Sequence, residues 1–459
     1  MALVRDELSN AEAFLAARPA VRVFDLLLPD LCGVLRGKRI DRADLAGIYQ
    51  RGMFLPGSMF ALDVLGGTIQ ATGLGFDEGD ADRACVPVPK TLFPAPWMGP
   101  AVAQLQVQML DHDGRPFYGD PRHLLDAVLD RYAARGWTPV IAIELEFYLV
   151  DVERTPAGHA QPPRSRYTGR RETRTQVNSM ADLESVSDIL SEIVAACEVQ
   201  GVPTGAALAE CGPNQWEVNL RHVADAREAC DQAIRFKRIV KGVAHRNGVE
   251  ATFMAKPYAD APGNGMHLHV SVQGRDGANV FGSDGVLGNG LLKQAAAGLL
   301  ATMADGMAIY APNANSYRRL RPELYVPMNA TWGYNNRGVA VRVPVSGAGD
   351  RRLEHRVAGA DANPYLVAAV VLAGMLHGIE KSLVPPPPIV GNAYTQRLTA
   401  PRLPADWPGA LQRLTASAFL REYLGERFVT LYELTRRGEM QDFNSRLTAL
   451  DYAFYLEQV

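Results

Sequence analysis

From Pro121 onward, Leu124, Leu125, Ala127 and Val128 recur at helical spacing, and residues 139–150 then form a nearly continuous apolar run of the kind a buried strand shows. Ahead of this point the pattern is different. Short β-rich pieces at 21–28 and 103–109 are separated by turn-rich loops, notably Leu55-Pro56-Gly57-Ser58 and residues 73–82. The change of texture predicts a domain boundary near residue 117, with an N-terminal unit 1–117 and a larger unit 118–459. Further helices are predicted at 182–200, 224–247, 291–310 and 364–382. The last must stop before Pro385-Pro386-Pro387-Pro388, because proline lacks the N–H that a helix needs. That run reads as a rigid surface loop, with an extended partner-binding segment as the alternative. The remaining C-terminal segment is helical and amphipathic. Strands and helices mix without the regular alternation of a doubly wound sheet, so the predicted class is α+β.

Composition narrows the function. The 459 residues suggest about two to three domains by length, and 47% hydrophobic against 21% charged residues is the balance of a globular chain with a large core. With 47 basic and 50 acidic side chains, the net charge of -3 argues against a nucleic-acid binder but leaves room for phosphorylated small molecules. Cys32, Cys85, Cys197, Cys211 and Cys230 form no CxxC pair, so neither a disulfide framework nor a zinc site is expected. The N-terminus lacks the apolar core of a signal peptide. The longest apolar stretch, 365–376, falls short of the roughly 20 residues that span a bilayer. A cytoplasmic protein without membrane attachment is expected.

Four segments gather chemistry. In Ile143-Glu144-Leu145-Glu146-Phe147 two acids lie two apart on one strand, so both carboxylates face the same side. Such a pair needs a cation between its members or a proton on one of them; otherwise it lies on a solvated face. In Glu210-Cys211-Gly212-Pro213-Asn214-Gln215-Trp216-Glu217, a Gly-Pro turn brings two acids onto neighbouring hairpin strands, unless they are merely solvated. Gly263-Asn264-Gly265-Met266-His267-Leu268-His269-Val270-Ser271 places two histidines on one strand face behind a glycine-rich loop, to bind metal or phosphate oxygens or to serve structure. Arg351-Arg352-Leu353-Glu354-His355-Arg356, with Arg318, Arg319, Arg337 and Arg342, adds guanidinium groups suited to carboxylate and phosphate oxygens. An oxygen-rich inventory of this kind favours magnesium or manganese over zinc, and metals with arginines suit phosphoryl transfer. There is no GxxxxGK[ST] motif, so any ATP must be held without a P-loop.

These segments, together with Phe253-Met254-Ala255-Lys256-Pro257, Asn315-Ser316-Tyr317-Arg318-Arg319 and Asp361-Ala362-Asn363-Pro364-Tyr365, match a family in order and spacing. The chain resembles the type I glutamine synthetases over nearly its full length. Among them it is most similar to the bacterial γ-glutamylpolyamine synthetases, through Arg36-Gly37-Lys38-Arg39-Ile40, Phe60-Ala61-Leu62-Asp63 and Val357-Ala358-Gly359-Ala360-Asp361. The resemblance implies a small β-grasp N-terminal domain and a catalytic domain with a curved antiparallel sheet. It implies one metal site from Glu146, Glu210 and Glu217 and another from Glu144, His267 and Glu354. It further implies an ATP site lined by His269 and Ser271, with Arg337, Arg342 and Arg352 on phosphate oxygens, and a glutamate grip from Gly263, Arg319 and Arg356. Family members form stacked rings with active sites between subunits, so a homo-oligomer, a dodecamer by analogy, is expected.

Two departures from the ammonia-using members bear on the nucleophile. The N-terminal stretch Met53-Phe54-Leu55-Pro56-Gly57-Ser58 carries no acid where those members have an aspartate, and Tyr325 stands where their flap carries a glutamate, with Glu323 two residues away. The expected reaction is ATP-dependent ligation of a putrescine-like polyamine to the γ-carboxylate of glutamate, through γ-glutamyl phosphate. Ligation of ethanolamine or a monoamine, glutamine synthesis, and a catalytically silent ring are the rivals. Tyr325 and Glu323 are the candidate proton acceptors, and Leu55, Asp63 and Tyr325 the candidate amine pocket. Tyr394 lies near a position that some relatives adenylylate, but Gly391-Asn392-Ala393-Tyr394-Thr395 matches that signal poorly.

Overall fold

The computed structural model describes the chain apart from Met1, Thr175, Asp284, Val286, Leu287, Glu323 and residues 397–399, and apart from the side chains of residues 2–6. Two sheets organise it. The first is built from β1 (Val23–Pro29), β2 (Leu35–Asp41), β3 (Met53–Pro56), β4 (Asp82–Pro87), β5 (Phe93–Pro94) and β6 (Val102–Met109). Its order is β2-β1-β6-β4-β3, with β5 on β6 and a parallel β1–β6 pair at its centre. This is the β-grasp-like unit. Its core is filled from alternate strand positions such as Phe24, Leu26 and Leu105.

The second sheet holds β7 (Thr138–Asp151), β8 (Thr204–Ala209), β9 (Gln215–Leu220), β10 (Val249–Thr252), β11 (Met266–Gln273), β12 (Trp332–Tyr334), β13 (Val341–Val343) and β14 (Leu353–His355). The order is β12-β13-β14-β11-β7-β9-β8, with β10 on β7. Every pair is antiparallel except β12–β13, which runs parallel, a departure from the wholly antiparallel sheet expected. The long strand β7 has its predicted extent within a residue of each end and pairs with both β9 and β11.

Helices cover one face of this sheet. Pro364–Glu380 is buried nearly all round and starts where the Asn363 side chain accepts the N–H groups of Tyr365 and Leu366. Ala226–Arg246 starts in the same way on Asp225. Two expected helices are each divided. The first becomes Met180–Ser185 and Ser187–Val199, broken at Val186, whose backbone leaves the helical region at φ -124 and ψ 15. The second becomes Gly290–Thr302 and Met307–Tyr310. Four further helices, from Trp407–Ala416 to Ala449–Tyr455, close the chain. The proline run lies along β12, where the Pro386 carbonyl accepts the Trp332 indole N–H at 2.7 Å. Among the described residues, no helix is long and apolar enough to cross a membrane.

A buried polar knot ties the two sheets' units together. Asp231 accepts from Gln106 of β6 at 3.0 Å, from Arg122 at 3.2 Å and from the Tyr365 hydroxyl. Each of these polar atoms has left water, and each has a partner, as burial requires.

Candidate active site

The pairing register of the second sheet assembles the site. Glu146 stands directly opposite Glu217 across β7–β9, and Glu144 directly opposite His267 across β7–β11. One strand further, His269 faces Glu354 across β11–β14, and Glu354 faces Arg342 across β13–β14. Residues from five strands thus form one row of acids, imidazoles and guanidinium groups. The side-chain period of two keeps them on a common face.

Glu146, Glu210 and Glu217 have ligand atoms within 4.8 Å of one another. Glu210 arrives on the β8–β9 turn, which is closed by hydrogen bonds from Glu210 N to Gln215 O and from Gln215 N to Gly212 O. Neutral donors hold these carboxylates, Glu210 through the Cys211 N–H at 3.3 Å. Glu146 accepts the Gly265 N–H at 2.7 Å, and Glu217 accepts the Asn219 amide at 2.6 Å. No lysine or arginine of the described residues forms an ion pair with the three acids. Burial, and then the negative charge of Glu146, pushes Glu210 up to about 7. Burial and the charges of Glu144, Glu146 and Glu210 push Glu217 well above the ordinary carboxylate range. Three crowded acids, Glu217 buried and the other two half-buried, paired with no lysine or arginine among the described residues, fit a divalent cation.

The second expected triad is regrouped. Glu144 lies with His269 and Glu354 in one cluster and with Glu217 and His267 in another, so His267 and Glu354 do not share a group. The reason is visible in the contacts. Glu354 is buried and ion-paired with Arg342 at 2.9 Å and with Arg356, and these guanidinium groups draw it toward β13. Burial opposes its ionisation, but Arg356, His269, His267 and Arg342 hold it at about 2. Glu144 is half-buried; desolvation opposes its ionisation, yet His267 and His269 keep it well below the usual range. His269 accepts from Arg352 Nε at Nδ1, 3.2 Å, and its Nε2 lies 3.0 Å from a Glu144 carboxylate oxygen.

The other candidates fall around this row. Ser271 follows on β11, half-buried beside Val140. Arg337 is exposed, and its carbonyl accepts Arg356 Nε at 3.2 Å, which sets it beside Glu210. Arg319 is buried and donates Nη1 to Val357 O at 2.8 Å, while its Nε has no partner among the described residues. Gly263 is required by contact: a Cβ there would lie 2.3 Å from the Ala255 carbonyl and 2.8 Å from the Arg319 side chain.

The amine-pocket residues are spread out. Asp63 lines a cavity of about 750 Å³ together with Met254, Lys256, Arg318, Arg321 and Phe443. Tyr325 is 62% exposed, with a left-handed backbone at φ 54. Leu55 packs into the core of the first sheet, and the neighbour that alternation turns outward is Phe54. Glu323 lies outside the described residues.

Sequence reasoning passed over three contributors. Gln215 bonds the Gly263 carbonyl and Asn264, each at 3.0 Å. Asn219 holds Glu217. His222 sits 6.1 Å from His269, ring to ring, where burial and the neighbouring His269 lower its pKa to about 4. The alternation Gln215, Glu217, Asn219 on one strand face carried the signal for two of them; His222 had none.

A row of acids, histidines and arginines on an antiparallel sheet, beside a β-grasp-like unit and without a P-loop, defines a metal-using phosphoryl-transfer enzyme. The chain belongs to the glutamine synthetase family, with residues 118–455 matching "Glutamine synthetase, catalytic domain". It is 41% identical to gamma-glutamylputrescine synthetase PuuA of Escherichia coli (strain K12), over 98% of this chain and 94% of that one. It is 33% identical to glutamate--isopropylamine ligase of Pseudomonas sp, over 93% of each. It is 31% identical to gamma-glutamylethanolamide synthetase GlnA4 of Streptomyces coelicolor, over 92% and 90%. A solved GmaS/ADP complex superposes with a TM-score of 0.84 at 29% identity, covering 97% of this chain and 99% of that one.

Proposed function

We propose that this protein ligates a polyamine of the putrescine kind to the γ-carboxylate of L-glutamate at the expense of ATP. The supporting observation is the intact row of acids, histidines and arginines, read with the resemblance that puts Tyr325 where ammonia-using members have a flap acid. Similarity to relatives named for putrescine, isopropylamine and ethanolamide products points the same way.

A carboxylate is a poor electrophile, so ATP first phosphorylates the glutamate side chain. Arg319 and Arg356 orient the substrate carboxylates, while Arg337, Arg342 and Arg352 offset charge on the phosphoryl oxygens. Glu146, Glu210 and Glu217, with Glu144, His267, His269 and Glu354, would hold magnesium or manganese. Such ions supply Lewis acidity and charge neutralisation when bound. The amine then displaces phosphate from γ-glutamyl phosphate, forming the amide and releasing a proton. Amines with a pKa near that of lysine, about 10.4, are almost wholly protonated at neutral pH. A proton acceptor at the pocket is therefore needed, and Tyr325 and Glu323 are the candidates. Asp63 would face the second ammonium of a diamine.

A monoamine or ethanolamine ligase is the second reading, favoured by the similarity to the isopropylamine and ethanolamide relatives. We also place the N-terminal unit at 1–117, the protein in the cytoplasm, and its working form in stacked homo-oligomeric rings. The test is mass spectrometry of products formed from ATP, glutamate and each amine. γ-Glutamylputrescine as the dominant amide supports the reading, and glutamine as the dominant product overturns it.

A further inference from the structure

Tyr394 is half-buried, and its hydroxyl donates to the carbonyl of Val326 at 3.1 Å. Val326 is buried and directly follows Tyr325, the exposed residue at the proposed amine pocket. Tyr325 holds φ 54, a left-handed conformation that a residue with a Cβ adopts only when its neighbours hold it there. The segment carrying Tyr394 also touches the other side of the site. The Gly391 carbonyl accepts the Asn336 amide at 2.9 Å, and Asn336 precedes Arg337. Tyr394 further borders a cavity of about 320 Å³ with Pro322, Met328, Thr331 and Gly338. Its ring is near enough to Arg356, Tyr325 and Arg319 for their charges to act on it. Burial raises its pKa, so it stays a hydrogen-bond donor at neutral pH.

We infer that Tyr394 is a positioning residue: its hydroxyl fixes the Tyr325–Val326 backbone against the segment that also holds Asn336, and so sets the affinity for the amine. This inference rests on the reading of the pocket around Tyr325 as the amine site. It accounts for a tyrosine that is tied down rather than free on the surface. The bond reaches the pocket only through the backbone, so its loss should act on amine capture and on exclusion of water, and leave glutamate and ATP binding intact.

The test is the Tyr394→Phe variant, which keeps the ring and removes the bond. KM for putrescine should rise about fivefold, the order expected for one hydrogen bond. KM for glutamate and ATP should stay within about twofold on the same argument, because the hydroxyl bonds Val326 O and not Arg319, Arg337 or Arg356. Phosphate released per amide formed should also rise, because water reaches the acyl phosphate more easily. A second measurement is independent of activity. Chymotryptic cleavage at Tyr325–Val326 in the native protein should run about fivefold faster in the variant, as the same lost bond predicts. Equal cleavage rates with an unchanged KM for the amine overturn the inference, as does a parallel rise of all three KM values with a fallen Tm. If the wild-type protein uses no amine at all, the functional reading fails, while the cleavage rates still decide whether Tyr394 holds this backbone.

Discussion

Glu146 and Glu217 occupy directly opposed positions on adjacent antiparallel strands, with Glu210 close enough for all three carboxylates to share one ion. Like charges placed opposite each other weaken a sheet. The arrangement therefore stores repulsion that a divalent cation relieves. Glu217→Gln removes one of the three carboxylates that would hold the ion. The metal-free variant should melt at or above the wild-type temperature, and the rise in Tm on adding manganese should largely vanish. Turnover should fall by at least about a hundredfold, as expected when charge stabilisation at a phosphoryl-transfer site is lost. A variant that still gains the full wild-type Tm from manganese would contradict the assignment.

The same cluster makes metal stabilisation depend on pH. Glu210 holds its proton up to about 7 in the folded metal-free protein, against 4.5 ordinarily. Glu217 is raised in the same direction. A raised carboxylate pKa favours the folded state fully below the ordinary value, and that contribution is lost as pH climbs through the folded one. The metal-free protein should therefore lose stability from about pH 4.5 to 7, and a cation competing with those protons should compensate increasingly. Thermal melts with and without manganese between pH 5.5 and 8 should show a Tm gain that grows with pH; a flat or shrinking gain would count against it.

Glu354 neutralises two guanidinium groups at once, and its carboxylate is almost fully buried with them. Glu354→Ala leaves Arg342 and Arg356 without their partner in a desolvated site. Urea unfolding should show a loss of about 3–5 kcal/mol, the cost typical of orphaning a buried charge. A loss under about 1 kcal/mol, the range of a surface ion pair, would show that water reaches the site.

At Asp63 the structure allows a clean separation of charge from shape. Its Oδ1 accepts the N–H groups of Leu65 and Gly67, a bonding pattern that asparagine can keep. Asp63→Asn should melt within about 2 °C of the wild type on that argument. Its KM for putrescine should nevertheless rise about fivefold to tenfold, the worth of one charged contact. An unchanged KM would remove Asp63 from the amine pocket.

What could be read in the chain, and what could not, follows the range of the interactions. The pairing of Glu144 with Glu146 on one face is local, set by the alternation of a strand already marked by its apolar run. The same alternation turns His355 away from Glu354 and Arg356, onto the ring of Tyr310 at 4.4 Å. The strand order β9-β7-β11-β14 joins segments far apart in the chain and left no local trace, so the division of His267, His269 and Glu354 between metal groups could not be read. The facing of Leu55 was illegible for a smaller reason. β3 has only four residues, too few for alternation to show which of Phe54 and Leu55 faces the core. The break at Val186 arises inside a pattern whose apolar period continues across it, so periodicity alone could not reveal it.

The most direct test of the central claim is the ratio of kcat/KM for putrescine to that for ammonium, read from glutamate-dependent phosphate release with ATP and magnesium. On the proposed function the diamine is strongly preferred, because the resemblance puts Tyr325 where ammonia-using members carry a flap glutamate. A preference for ammonium would contradict it and make this chain a glutamine synthetase with an altered cradle.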